Sequence, residues 1–521
     1  MNTFRIAAAL WCVAQVALVA QDDKAKVAEA VETARKAYDA GRYEEADRAF
    51  DAVALPALES FDAMLLRARI GYALGEWGKA STYADNAAKL DPSNVDAWML
   101  AGQARFMGGE EAKLDGRSTV GRISGFYEQA IDAFDKALAL KPGDAKAAEI
   151  LDWKGHAAFW SDEVSKTEGR LKDSADAFEA AVKLDPEAGD SWWALARTEF
   201  KRQNKARALE AITKGLAAKR TSDSTGPLLA QMLSDVYVPE KKFEEAVAAM
   251  KGWAAAQPRN PAPYVWSGFF RTKQGRDDEA IPLFVKAWEI SEKTAADAAY
   301  ELGQAYLRKG DEAKAVEAFT NAWKARREGW NFGVSPVDLI VDVGARKFLE
   351  GKHAEGIAFI EKHALPIAAD DWRVHNSLGL FYRDWPDRKT RKEHDAKALQ
   401  HYAKAAELVV KVPDEQLSRN WKSRVINDLG VIHHFHYGDV DKGLAKYREA
   451  LEWDPTWVDA LENAGLCLNK LGKYEEARAL FKKVLEIEEP DPNNPGKTHR
   501  PWAGRRVTLQ GLAEAEKNLK K

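Results

Sequence analysis

The sequence predicts an all-α chain in which one small helical hairpin is repeated from end to end. Three observations carry that prediction. The first is the stretch from Val458 to Glu489, which reads as two short helices joined at Gly472. Ala460, Leu461, Ala464, Gly465 and Leu468 line one helix, and Ala477, Leu480, Phe481, Val484 and Leu485 line the other, at helical i, i+3, i+4 spacing. Neither helix is long enough to bury its own apolar face, so the hairpin needs neighbours. The second observation supplies them: the pattern returns at a spacing of about 34 residues. The third is negative. No run of β-branched residues alternates with period two, and 46% hydrophobic with 30% charged residues suits an Ala-rich helical chain.

Taken in order, residues 1–20 carry one Arg and an apolar run from Ile6 to Ala20 broken by Gln15. That run is short for a membrane span and predicts a secretory signal peptide cleaved after Ala20; an uncleaved anchor or an ordinary first helix is the alternative. Trp11 before Cys12 does not fit a lipoprotein setting, and after cleavage Cys467 is the one cysteine left, so packing alone must hold the fold. Repeat one runs from Val27 with Gly41, Tyr43, Ala46 and Phe50, and repeat two from Phe61 with Gly75, Trp77 and Ala80. Repeat three starts at Val95, and its second helix arrives late, at Ala130 and Phe134. The Gly-rich excess between Met107 and Gly125 predicts a loop on one edge, with a lid over a groove as the alternative. Repeat four has a stretched connection from Ser161 to Arg170, and repeat five carries Trp192, Leu195, Ala208 and Ile212.

Repeats six to eight start at Pro227, Pro261 and Ala296, and repeat nine at Val337. Repeat ten starts at Trp372 and is interrupted by RDWPDRKTRKEHDAK before Ala398 and Tyr402. Repeat eleven carries Gly430, Tyr447 and Ala450, and repeat twelve is the opening stretch. Glu489 to Pro501 is Pro-rich and polar, which predicts a loop. Val507 to Lys520 predicts a charged last helix that caps the array.

Within the unit that starts at Val458, the recurring positions are Gly465, Gly472, Tyr474, Ala477, Phe481 and Val484. From Ala296 they are Leu302, Gly303, Tyr306, Gly310, Ala315, Phe319 and Ala322. This pattern resembles the tetratricopeptide repeat (TPR). The resemblance implies an α-solenoid, a right-handed superhelix of about twelve helix-turn-helix repeats. The signal peptide would occupy 1–20, the array 21–488, and the loop with its capping helix 489–521. It also implies that Gly465 and Ala477 meet where the two helices cross. First helices would line a concave groove, placing Trp193, Arg197, Phe200, Phe269, Tyr300, Gln304, Asn376, Arg383 and Asn427 there, together with Gln231, Asp235, Val265, Leu307, Arg373, Leu380 and Arg424. An aromatic, Arg-bearing groove has the composition of interface anchors. The Lys and Asn pair with which some TPR proteins grip a peptide C-terminus is absent from every repeat.

Catalytic signals are thin. The formal charge of −4 gives no basic field for nucleic acid. Gly496-Lys497-Thr498 lacks the first glycine of a phosphate loop, where Asp491 stands, and no strand is expected before it. His433, His434 and His436 crowd together, with Asp439 and Asp441 near, but show no recognised metal spacing. No GxSxG or CxxC occurs. The expectation is therefore an exported, non-catalytic TPR scaffold that binds a protein or peptide partner in its groove, without cofactor or metal, and without nucleic acid or a membrane span after cleavage. A bacterial source would place it in the periplasm or at the cell surface. Two alternatives stand beside it. One is a carbohydrate- or ligand-binding subunit of an envelope complex, since Trp is frequent. The other is a metal-dependent activity of the His433–His436 cluster.

Overall fold

The computed structural model describes residues 26–51, 60–326, 334–387, 389–415, 417–487, 490–491, 494–498 and 502–520. The predicted signal segment, 1–20, lies outside the described residues. The chain divides into two compact units, one ending at Gln274 and the other beginning at Gly275. Both are stacks of antiparallel helices. Among the described residues, no helix is long and apolar enough to cross a membrane.

In the first unit, helices run over 26–39, Tyr43–Arg48, Phe61–Ala73, Trp77–Leu90, Val95–Leu114, Val120–Ala139, Asp144–Ser165, Arg170–Leu184, Gly189–Lys201, Lys205–Ala217, Thr225–Tyr237, Phe243–Ala256 and Ala262–Lys273. In the second they run over Asp277–Ile290, Ala296–Arg308, Glu312–Ala325, Pro336–Leu349, His353–His363, Trp372–Arg383, Arg391–Val409, Arg419–Val431, Val440–Trp453, Val458–Lys470, Tyr474–Glu486 and Trp502–Leu519. Each core is a succession of local clusters, as expected when a repeat touches only its neighbours.

The glycine in the first helix has a specific task. A Cβ on Gly465 would lie 2.7 Å from the ring of Phe481, and one on Gly303 would lie 2.5 Å from Phe319. Gly102 stands in the same way against Phe134, Gly155 against Phe178, Gly379 against Tyr402 and Gly430 against Tyr447. The missing Cβ at Gly465 leaves room for the aromatic ring one turn beyond Ala477. A direct glycine-to-glycine approach does occur in repeat nine, where a Cβ on Gly356 would meet the Gly344 carbonyl at 2.6 Å. Turns between paired helices need a left-handed residue, supplied by Gly472 at φ +73° and by Gln203 at φ +61°. Successive repeats are tied by indole N–H groups. Trp98 donates to the Pro92 carbonyl at 3.1 Å, and Trp192 donates to that of Pro186 at 2.9 Å.

Three expectations about connections are corrected. The excess between Met107 and Gly125 is not a loop or a lid. It lengthens both helices of the hairpin to 20 residues, joined by the short turn 115–119. Its glycines admit close packing: a Cβ on Gly109 would lie 2.9 Å from the Tyr127 ring, and one on Gly108 would lie 3.3 Å from Phe126. The stretched connection after Ser161 is likewise mostly helix, since Asp144–Ser165 runs for 22 residues. Part of the predicted loop from Glu489 to Pro501 forms a small antiparallel hairpin, Pro490–Asp491 with Asn494–Thr498. The last helix begins earlier than expected, at Trp502. It does act as a cap, because Gly511 lies against Phe481, Ala515 is fully buried, and Asn469 donates to the Gly511 carbonyl at 2.8 Å.

Candidate binding sites

In the first unit, helix Gly189–Lys201 places Trp193, Arg197 and Phe200 along one stripe, all half-buried. The Arg197 guanidinium lies over the Phe159 ring at 3.8 Å and near Trp193 at 4.7 Å. Its Nε and Nη2 are buried and have no hydrogen-bond partner. Burial lowers its pKa to about 10. Such a cation is held by ring faces alone, and it would gain most from an oxyanion brought by a ligand. Phe269, by contrast, makes edge contacts with Trp266 at 5.4 Å and Phe270 at 5.5 Å, so much of it serves packing. Gln231 and Asp235 satisfy each other at 2.7 Å.

In the second unit, Gln304 donates to the Tyr300 hydroxyl at 3.1 Å, and the Tyr300 ring leans on Phe319. Arg383 is half-buried and donates to Asp384 at 2.8 Å. Asn427 is corrected: it is buried and accepts a hydrogen bond from Asn463 at 3.2 Å, so it links successive first helices instead of facing a ligand.

Asn376 and Arg373 belong to a cleft of about 870 Å³. Its apolar walls are Trp323, Trp372, Trp421, Val341, Ile367 and Leu417, and its charges are Asp338, Asp342, Asp370, Asp371, Arg326 and Arg373. Trp323 is fixed by donating to the Ile367 carbonyl at 2.8 Å, and the Arg326 guanidinium lies over its ring at 3.3 Å. Asp371 caps helix Trp372–Arg383, accepting from the Arg373 amide at 3.0 Å, and also accepts from Arg373 Nε at 2.9 Å. Asp338 accepts from Arg373 at 3.1 Å. Burial raises the carboxyl pKa of both Asp338 and Asp342 and lowers that of the Arg326 guanidinium. The sequence reading missed most of this cleft. Asp338 and Val341 stand at the same offsets in repeat nine as Arg373 and Asn376 in repeat ten, so the groove rule applied to repeat nine would have found them.

The histidine cluster is dispersed. Ile432–His436 forms a π-helical turn, which takes up the one residue by which Gly430 and Tyr447 exceed the usual separation. His436 turns to Asp395 at 2.8 Å. His434 points inward, accepting from Lys470 at 2.8 Å and lying 3.3 Å from Cys467 Sγ. Burial lowers the His434 pKa to about 4 and raises that of Cys467 to about 12, so the pair is neutral and the thiol is a poor nucleophile. Asp439 caps the next helix, accepting from the Lys442 amide at 3.1 Å. Among the described residues, no three His, Cys, Asp or Glu side chains converge as metal ligands would. Gly496, Lys497 and Thr498 lie within a strand, which is not the setting of a phosphate loop.

Two stacks of helical hairpins, each closed by a small residue under a large one, define a helical-repeat protein of the α-solenoid class. Four stretches of these repeats match the model of the family described as Tetratricopeptide repeat, over residues 72–113, 167–223, 273–329 and 434–495. An uncharacterized protein of Methanocaldococcus jannaschii is 44% identical over 52 residues, 10% of this chain and 60% of that protein. Photosystem I assembly protein Ycf3 of Rippkaea orientalis is 28% identical over 114 residues, 20% of this chain and 61% of that protein. The matches thus span about 60% of the length of these relatives. Among solved structures, yeast Tom70 is similar at 13% identity over 95% of this chain and 96% of its own, with a TM-score of 0.30. The APC/C hetero-tetramer Cut9–Hcn1 is similar at 14% identity over 93% and 95%, with a TM-score of 0.29.

Proposed function

We propose that this chain is an exported, non-catalytic scaffold that binds a protein or peptide partner along the first-helix faces of its repeats. The observation that carries the reading is Arg197. Its guanidinium sits half-buried among Phe159 and Trp193, with two nitrogens unpaired by protein groups, and so offers donors to a ligand's acceptor. The tetratricopeptide repeats support the same class, and so does the name of the Rippkaea relative, an assembly protein. Two of the tryptophans that suggested a carbohydrate platform are taken up by packing: Trp253 is 1% exposed and Trp192 is 7% exposed.

The test is a pull-down from the envelope fraction with the intact protein, followed by Arg197→Gln and Trp193→Ala. Both variants should keep their helix content and lose the partner. Retention of every partner by both variants would overturn the groove reading. Export rests on the apolar run in residues 6–20. N-terminal sequencing of the exported protein should begin at Gln21, and an intact Met1 would overturn cleavage.

A further inference from the structure

We propose that the tryptophan-walled cleft of the second unit is a receptor for a lysine or arginine side chain of a basic peptide segment. The proposal rests on the scaffold reading and names the chemistry of its partner. Four carboxylates face two guanidiniums in the cleft. Arg373 is already committed to Asp371 and Asp338. Arg326 lies over Trp323. Asp370 and Asp342 have no ion-pair partner among the described residues; Asp342 stands between the like charge of Asp338 and Arg346, each one turn away on its own helix. The lining itself carries four carboxylates against two guanidiniums, with Arg346 and Arg424 at its edge; the two carboxylates left without an ion pair favour an incoming cation over an anion.

The polar groups agree with the charges. Asn376 Oδ1 is buried and has no hydrogen-bond partner. It is an acceptor, and Lys and Arg side chains are donors only. The indole faces are also suited to cations. Two already meet guanidiniums, Arg326 on Trp323 at 3.3 Å and Arg424 near Trp421 at 5.0 Å. Trp421 is 42% exposed, at 5.9 Å from Trp372, so its ring remains open to a further contact. A volume of about 870 Å³ exceeds what one ammonium fills and suits a side chain with its flanking backbone. That last point favours a peptide over a free amine.

The test is calorimetric titration of the full chain with a short peptide alternating Arg and Gly, with its Glu counterpart, and with spermidine. The Arg peptide should bind, more weakly as salt rises, and the Glu peptide should not. Asp342→Asn with Asp370→Asn should weaken the Arg peptide by about tenfold, and Trp421→Ala by about as much. None of these side chains caps a helix or fills a core, and circular dichroism checks that helix content is kept. If Trp421→Ala unfolds, the aspartate variant decides. Equal binding of the Arg and Glu peptides, or unchanged binding by the aspartate variant, would overturn the proposal. Spermidine binding as tightly as the peptide would overturn the peptide assignment in favour of a free polyamine. Failure here is separable from failure of the scaffold reading, because the Arg197→Gln pull-down reads a side chain of the other unit.

Discussion

Gly303→Ala tests the rule by which the hairpins close. Alanine is the better helix former, and in an exposed helix the change would stabilise by about 1 kcal/mol. Here the new methyl would arrive 2.5 Å from Cδ1 and Cε1 of Phe319, and 3.0 Å from its Cγ. Phe319 is fully buried, so the ring has nowhere to retreat without moving its neighbours. Overpacking of that kind costs about 1–3 kcal/mol. The net expectation is a loss of roughly 1–2 kcal/mol, reversing the sign set by helix propensity. Phe319→Leu alone should cost roughly 1–2 kcal/mol by opening a cavity, and Phe319→Ala roughly 3–5 kcal/mol. Combined with Phe319→Leu, Gly303→Ala fills space instead of clashing, so the pair should be more stable than the sum of singles by about 1 kcal/mol. Urea unfolding followed by circular dichroism gives the global values. Hydrogen exchange over Ala296–Ala325 shows whether the loss is local, as it should be when repeats open in sections. A stabilising Gly303→Ala that adds independently to Phe319→Leu would refute the reasoning.

Three further outcomes follow from single side chains. Tyr447 is fully buried and its hydroxyl has no hydrogen-bond partner, so Tyr447→Phe should raise stability by about 1 kcal/mol in urea unfolding. Burial raises the Asp428 carboxyl pKa from 3.8 to about 6, against the pull of Arg383 and Arg424. The folded state then holds more protons than the unfolded one between those values, so stability falls as pH rises from about 4 to 6, by at most about 3 kcal/mol. Asp428→Asn should flatten that part of the pH–stability curve, and an unchanged slope would refute the assignment. Gln203 holds φ +61° at a turn where other repeats use glycine, so Gln203→Gly should gain up to about 1 kcal/mol, read as a raised midpoint in urea.

What the sequence made legible was the repeated geometry. Gly303 and Phe319, or Gly465 and Phe481, recur because each hairpin solves the same contact, and a contact solved many times leaves a periodic trace. The cap at Ala515 was legible for the same reason: a stack of apolar faces must end in a polar-backed one. The long hairpin at Val95–Ala139 was misread because Gly108 and Gly109 look like loop residues. Their smallness serves Phe126 and Tyr127, partners that composition does not reveal. His433, His434 and His436 looked like one cluster, but a π-helical turn sends them to different neighbours. The aspartates and tryptophans of the cleft come from separate repeats and share no local pattern. Arg197 was legible as a polar position on a first helix, but its lack of a carboxylate was not, because that depends on what the neighbouring helices leave out.

The closure of each hairpin over its own glycine also bears on how the chain would yield under tension. Phe319 is seated against Gly303 within its own pair of helices, and the equivalent ring Phe481 lies both against Gly465 of its pair and against Gly511 of the helix that follows. A pull on the ends would therefore be resisted both within and between pairs, and a pair at an end, with one neighbour instead of two, would yield first. Extension would proceed in a staircase of small, similar steps. Each step would be reversible on its own, because the ring that must find its seat again lies on the same two helices as the glycine that receives it.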